Sequence, residues 1–234
     1  MKTKALFIIL FFVTGIFTTL SAQQWTFSVG GVYAIPGDEF KERTGNNGAG
    51  IQIGARRHLG NLPLSLGITG GLIGYGESSF FESIDDGQGG EINLRADAVN
   101  NGFNGLAVLR VHPSKGRIQP YAEAMYGFRY IYSNLDISTA STNIPVKQDS
   151  FSESVTTAGA SVGVSYTLFE KVDRNTDRQV KLKLNTSYTI HWSGDAEFIK
   201  KGTMERNVTT VRYETERRNV SQSQIQLGLI LQLF

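Results

Sequence analysis

Between Val180 and Trp192 the chain alternates for thirteen residues, V-K-L-K-L-N-T-S-Y-T-I-H-W. Successive side chains of a β-strand point to opposite faces. One face therefore carries Val180, Leu182, Leu184, Thr186, Tyr188, Ile190 and Trp192, and the other Lys181, Lys183, Asn185, Ser187, Thr189 and His191. A helix would scatter both sets around its surface. Strands of globular sheets average about 5–6 residues, so this one is long enough to cross a thicker layer. The same period runs through Pro120–Tyr132, where Ala122, Ala124, Tyr126, Phe128, Tyr130 and Tyr132 oppose Tyr121, Glu123, Met125, Gly127 and Arg129. It recurs where Ala158, Ala160, Val162, Val164, Tyr166 and Leu168 oppose Thr157, Gly159, Ser161, Gly163, Ser165 and Thr167.

Eight segments carry this pattern, at about 25–35, 48–58, 63–76, 101–112, 118–133, 152–168, 179–193 and 219–234. Their connections alternate in length. Those after the second, fourth and sixth segments span about 4, 5 and 10 residues and include Gly60-Asn61-Leu62-Pro63 and Pro113-Ser114-Lys115-Gly116. Those after the first, third, fifth and seventh are polar and span about 12 to 25 residues. An even strand number with short turns at one end and long loops at the other marks a membrane barrel. Closure pairs every backbone N–H and C=O, which hydrocarbon demands. The expected fold is all-β: an eight-stranded antiparallel up-and-down transmembrane β-barrel, its apolar face toward lipid and its small or polar face toward the lumen. Tyr130, Tyr132, Tyr188 and Trp192 fall at the loop end and Trp25 and Tyr166 at the turn end, as interfacial belts require. Several segments exceed the 9–11 residues needed to cross, so the barrel should project above the outer leaflet.

The N-terminus reads as export. Lys2 and Lys4 precede an uncharged apolar run, Ala5 to Leu20, and Leu20-Ser21-Ala22 offers a cleavage point. The expected domains are a cleaved signal peptide, 1–22, and a barrel, 23–234. Of the 23 Lys and Arg, two leave with the signal, so the mature chain balances 21 basic against 21 acidic residues. That balance gives no field for nucleic acid. No cysteine is present, so no disulfide framework holds the fold.

The signal, the Ala22-Gln23 start, the Gln119-Pro120-Tyr121 strand opening, the eight alternating strands and the terminal Phe234 together resemble the small Gram-negative outer-membrane barrels. That group includes the OmpA transmembrane domain, OmpX, OmpW and PorT-like proteins. The resemblance covers essentially the whole mature chain. It implies an outer-membrane location, periplasmic termini and insertion by the barrel-assembly machinery, with Phe234 as part of the assembly signal. Strand eight departs from the pattern, because Ile225, Leu227, Leu229, Leu231 and Leu233 are out of phase with Phe234. Either a bulge restores phase or Phe234 lies just beyond the lipid face.

An eight-stranded barrel is just wide enough for side chains to fill. Parity puts Arg56, Arg110, Glu123, Arg129, Lys181 and Lys183 in the lumen, with Glu153 near the loop end. Charges there must pair, so the expectation is a salt-bridged plug centred on Glu123; the alternative is an anion-selective path. The loop expected at 77–100 is acidic, but Asp85-Asp86-Gly87-Gln88-Gly89-Gly90-Glu91 lacks EF-hand spacing, so it reads as solvated or bridging lipopolysaccharide. His191-Trp192-Ser193 puts an imidazole and a hydroxyl on one strand face, and Glu205 follows. This order is similar to the His-x-Ser…Glu triad of the outer-membrane lipid A deacylases. Here parity turns His191 toward the lumen, Glu205 falls in a long loop, and Gly194 replaces that family's usual Asn. His58 and His112 read as structural residues at the turn end, and Asn207-Val208-Thr209 as a sequon without use in a bacterium.

The expected function is non-enzymatic: a monomeric barrel with a filled lumen, acting through external loops in adhesion, envelope integrity or partner binding. Two alternatives stay open, a lipid A-modifying hydrolase using His191, Ser193 and Glu205, and a narrow pore or carrier for small apolar molecules. No cofactor, metal or nucleic acid is implied. Expected partners are outer-membrane lipids, lipopolysaccharide and, during insertion, the assembly machinery.

Overall fold

Among the described residues, twelve strands and one short helix follow in order: β1 (Trp25–Pro36), α1 (Asp38–Thr44), β2 (Gly48–His58), β3 (Leu64–Asp85), β4 (Glu91–Val111), β5 (Ile118–Thr139), β6 (Pro145–Asp173), β7 (Arg178–Ser193), β8 (Asp195–Ile199), β9 (Glu205–Asn207), β10 (Thr210–Arg212), β11 (Thr215–Asn219) and β12 (Gln222–Leu233). The structure, a computed structural model, describes residues 24–60, 62–85, 90–113, 116–139, 145–173, 178–200, 203, 205–207 and 210–233. The expected signal peptide and Phe234 lie outside these.

Eight of the strands close on themselves in the order β1-β12-β7-β6-β5-β4-β3-β2. Every neighbouring pair is antiparallel, and β1 joins β12 from Trp25↔Leu233 to Pro36↔Gln222, which seals the ring. Across the β1–β12 and β12–β7 pairings the register runs unbroken to Leu233, so no bulge restores the phase of strand eight among the described residues.

Burial is inside out relative to a soluble protein. Ile68 is 68% exposed, Val162 62% and Leu227 60%, while Asn185 is 4% and Thr157 0% exposed. All six residues assigned to the aromatic belts face outward. Such a surface is stable only in lipid, and the in/out assignments expected for β5, β6, β7 and β12 hold. The chain forms an eight-stranded transmembrane barrel.

Three of the expected long connections are not loops. β3 and β4 stay paired to Asp85↔Glu91, and β5 and β6 to Ser138↔Pro145. The stretches expected as loops at 77–100 and 134–151 are thus mostly hairpin arms, forming a four-stranded sheet beyond the lipid-facing zone. In the seventh connection β8 pairs with β11, and β9 with β10. The sixth is shorter than expected, since β6 runs to Asp173 and β7 starts at Arg178.

A β-bulge at Tyr75 marks where β3 leaves the membrane zone. Its register with β4 slips between Gly74 and Gly76, and Gly76 takes a φ of 77° that few other residues adopt. The extra residue reverses which parity faces inward. Tyr75 is turned into the barrel and buried, and Ser78, Phe80 and Ile84 replace odd-numbered residues on the inner side. A second slip, between Thr167 and Phe169, leaves Leu168 unpaired and puts Glu170 opposite Lys181.

Candidate functional site

The candidate site is the lumen with the structure that closes its loop end. In β7, alternate residues Lys183, Asn185, Ser187, Thr189, His191 and Ser193 point inward and are buried. Hydroxyls and amides on neighbouring strands meet them: Thr189 Oγ1 donates to Ser161 Oγ at 3.0 Å, and Ser161 Oγ to the Tyr188 carbonyl at 3.2 Å.

Glu123 of β5 is the hub at the turn half. Its Oε1 accepts from Arg110 Nε at 2.7 Å and lies 3.7 Å from Arg56 Nη1. All three side chains are less than a tenth exposed, and the Arg110 guanidinium stacks 3.6 Å over the Tyr121 ring. Of the cations expected around Glu123, these contacts bring two to it, Arg56 and Arg110. Lys183 Nζ donates to the neutral Gln119 Oε1 at 2.6 Å. Lys181 sits at the turn-end rim, 3.3 Å from Glu170, because the Leu168 bulge brings that carboxylate across from it. Arg129 lies toward the loop end, fully buried, with Nη1 donating to the Val220 carbonyl at 2.6 Å. Glu153, also expected in the lumen, belongs to the external structure and pairs with Arg217 at 2.7 Å.

At the turn-end mouth, Ser65 Oγ lies 2.8 Å from His112 Nε2 and 3.4 Å from His58 Nδ1. His112 Nδ1 is 3.1 Å from the Pro113 carbonyl, which can only accept, so the proton sits on Nδ1 and Ser65 donates to Nε2. Burial holds the His112 imidazole below its ordinary pKa. Both histidines thus contact Ser65 at the turn end.

The loop end is closed by parts that alternation could not reveal. α1 lies across the barrel: Phe40 is fully buried, its ring 4.9 Å from Tyr75 and 6.0 Å from Phe198 of β8. Gly45 ends the helix at φ 71°, donating to the Lys41 carbonyl at 2.8 Å. Arg43 pairs with Glu216 of β11 and donates to the Ile199 carbonyl at 3.1 Å. Glu39 accepts from the Asn219 amide at 3.0 Å. Below this cap Tyr75 donates to Gln222 Oε1. Above it, Ile84, Leu94, Ala96, Leu135, Ile137 and Ile199 form a separate apolar core inside the projecting sheet.

Among the described residues His191 and Ser193 are not joined as a catalytic pair. His191 and Ser193 both face the lumen, 2% and 7% exposed. Ser193 Oγ is engaged with Thr157 Oγ1 at 2.9 Å rather than with the imidazole. Glu205 lies in β9, and its side chain is outside the described residues.

No protein-family model and no curated protein matches the chain. Among solved structures it is similar to Neisserial surface protein A, with 11% identity, a TM-score of 0.43, and 88% of this chain and 95% of that one covered. It is also similar to Ail, the attachment invasion locus protein of Yersinia pestis, at 11% identity and a TM-score of 0.40, covering 91% and 99%. A major outer membrane protein from Thermus thermophilus is similar at 12% identity and a TM-score of 0.38, covering 89% and 99%. These are likenesses of fold, and the strand count and closure rest on the registers above.

The sequence did hold a signal for the projecting part. From Glu91 to Val99 the alternation persists with its faces exchanged: Ile92, Leu94, Ala96 and Ala98 turn inward, and Glu91, Asn93, Arg95 and Asp97 outward. In lipid the apolar set faces out; above it, the apolar set faces in. Glu77, Glu91 and Asp97, part of the acidity that made this stretch read as a loop, lie on the outer face of a hairpin.

Proposed function

We propose that the chain is a non-enzymatic barrel of the outer membrane, termini in the periplasm, that presents its projecting sheet and cap to partners outside the cell. One observation carries this reading: the external third has its own apolar core, latched by α1 and the β8–β11 hairpin. A sheet serving only to cross lipid gains nothing from strands of 21 to 29 residues. A rigid external platform, by contrast, meets a partner without first losing loop entropy. The cap above and the Glu123 hub below argue against a pore, and the engaged Ser193 argues against a hydrolase. Lipopolysaccharide around the outer rim, the assembly machinery reading Phe234, and a monomeric state complete the proposal. Adhesion is the first activity to assay, because a preordered outer face suits contact with another surface.

The test compares cells carrying the full barrel with cells in which residues 77–99 are replaced by a two-residue turn. Adherence to host-cell and abiotic surfaces should fall in the shortened form while heat-modifiable barrel persists in the membrane. Equal adherence would remove the platform as the working part. Stepwise conductance in planar bilayers with the purified full-length protein would reopen the pore.

A further inference from the structure

The turn half of the lumen carries more positive charge than its own residues neutralise. Arg56, Arg110 and Lys183 are buried there, 5%, 7% and 5% exposed. Among the described residues Glu123 is the only carboxylate within their chamber, and a single oxygen of it already serves both arginines. The contact of Lys183 to Gln119 offers a dipole but no countercharge. Glu170, at the rim, is held by Lys181. Two buried donors also have no acceptor, Arg56 Nη2 and the Tyr121 hydroxyl.

Between these groups lies a cavity of about 20 Å³, lined by Arg56, Arg110, Tyr121, Gln119, Lys183 and Ser165 among others. That volume holds about one water-sized particle. Water would satisfy a donor but leave the charge. A monatomic anion is close to water in size and fits that space. We propose that this chamber binds a chloride-sized inorganic anion between Arg56, Arg110 and Lys183. The anion takes the donors left over and offsets the charge that Glu123 does not reach. The site is distinct from the external platform and holds whether or not that platform binds a partner.

Chloride-35 NMR on the detergent-folded protein tests it, with chloride titrated against gluconate at constant ionic strength. Wild-type protein should broaden the chloride line in a saturable way, and bromide should reverse the broadening. Arg56→Gln removes one ligand and should weaken binding about tenfold or more. Gln119→Glu is the decisive variant, because it keeps volume and sets a carboxylate against Lys183. It should stay folded by heat-modifiable migration and lose the saturable broadening. Absence of saturable broadening in wild type would overturn the proposal, since Lys183 would then be uncharged or water-solvated. Equal broadening in folded Gln119→Glu would overturn it too, by moving the anion elsewhere.

Discussion

Glu123 is the residue on which the interior depends most. Two guanidiniums lean on its Oε1, so Glu123→Ala would leave both buried without that partner, at a cost of about 3–5 kcal/mol. Urea unfolding in detergent, read by tryptophan fluorescence and gel migration, measures it, and a variant as stable as wild type would mean lumenal water already solvates the pair. A different residue pair lies on the platform. The Tyr213 hydroxyl donates to Asp149 and holds that carboxyl below its usual range. Burial, and then Asp149, push the Tyr213 phenol above its ordinary pKa. The signs give a window. The depressed carboxyl contributes stability above about pH 4 that is lost as pH falls through its folded pKa, and the raised phenol contributes stability below about pH 10 that is lost as pH rises. Protection factors of the projecting strands, exchange rates corrected for the intrinsic pH dependence, should therefore be greatest between these limits and lower outside them. Tyr213→Phe should flatten both flanks, and an unchanged profile in that variant would discard the pair as their cause.

At the scale of the element, what could be read from the chain depended on whether its pattern kept one phase. β7 and β12 alternate without interruption, and their lipid and lumen faces follow residue by residue. β3 does not, because Tyr75 is an extra residue; an alternation followed from Leu64 fails at that point although the strand continues to Asp85. α1 has only seven residues, too few to display a period, and its role comes from Phe40 reaching Tyr75 and Phe198 across large sequence separations. That Glu123 faces inward with Arg56 and Arg110 was legible from parity and charge. The separation of Arg129 and Lys181 from it was not, since that depends on height along the barrel and on the Leu168 bulge. Depth can be tested directly. Leu184→Arg, on the lipid face, should cost about 2–4 kcal/mol, whereas Asn134→Arg, outward but above the belt, should cost about 0–1 kcal/mol. Equal unfolding free energies for the two would mean the apolar zone ends elsewhere.

For the whole molecule, orientation is the first quantity to check. A cysteine at Ser79 should react with an impermeant maleimide on intact cells, and one at Arg117 only after permeabilisation; the reverse would put the platform in the periplasm. If the orientation holds, the external core has a consequence for biogenesis. Ile84, Leu94, Leu135 and Ile137 must pass through the membrane before they can pack together, while their outward neighbours Asn93, Asp97, Asn134 and Asp136 must pass with them. Once across, the hairpins zip, α1 and the β8–β11 pair fold over them, and the assembled head carries charges on its outside that hydrocarbon rejects. Insertion then acts as a ratchet: the head crosses before it packs and afterwards is too polar to be drawn back through hydrocarbon.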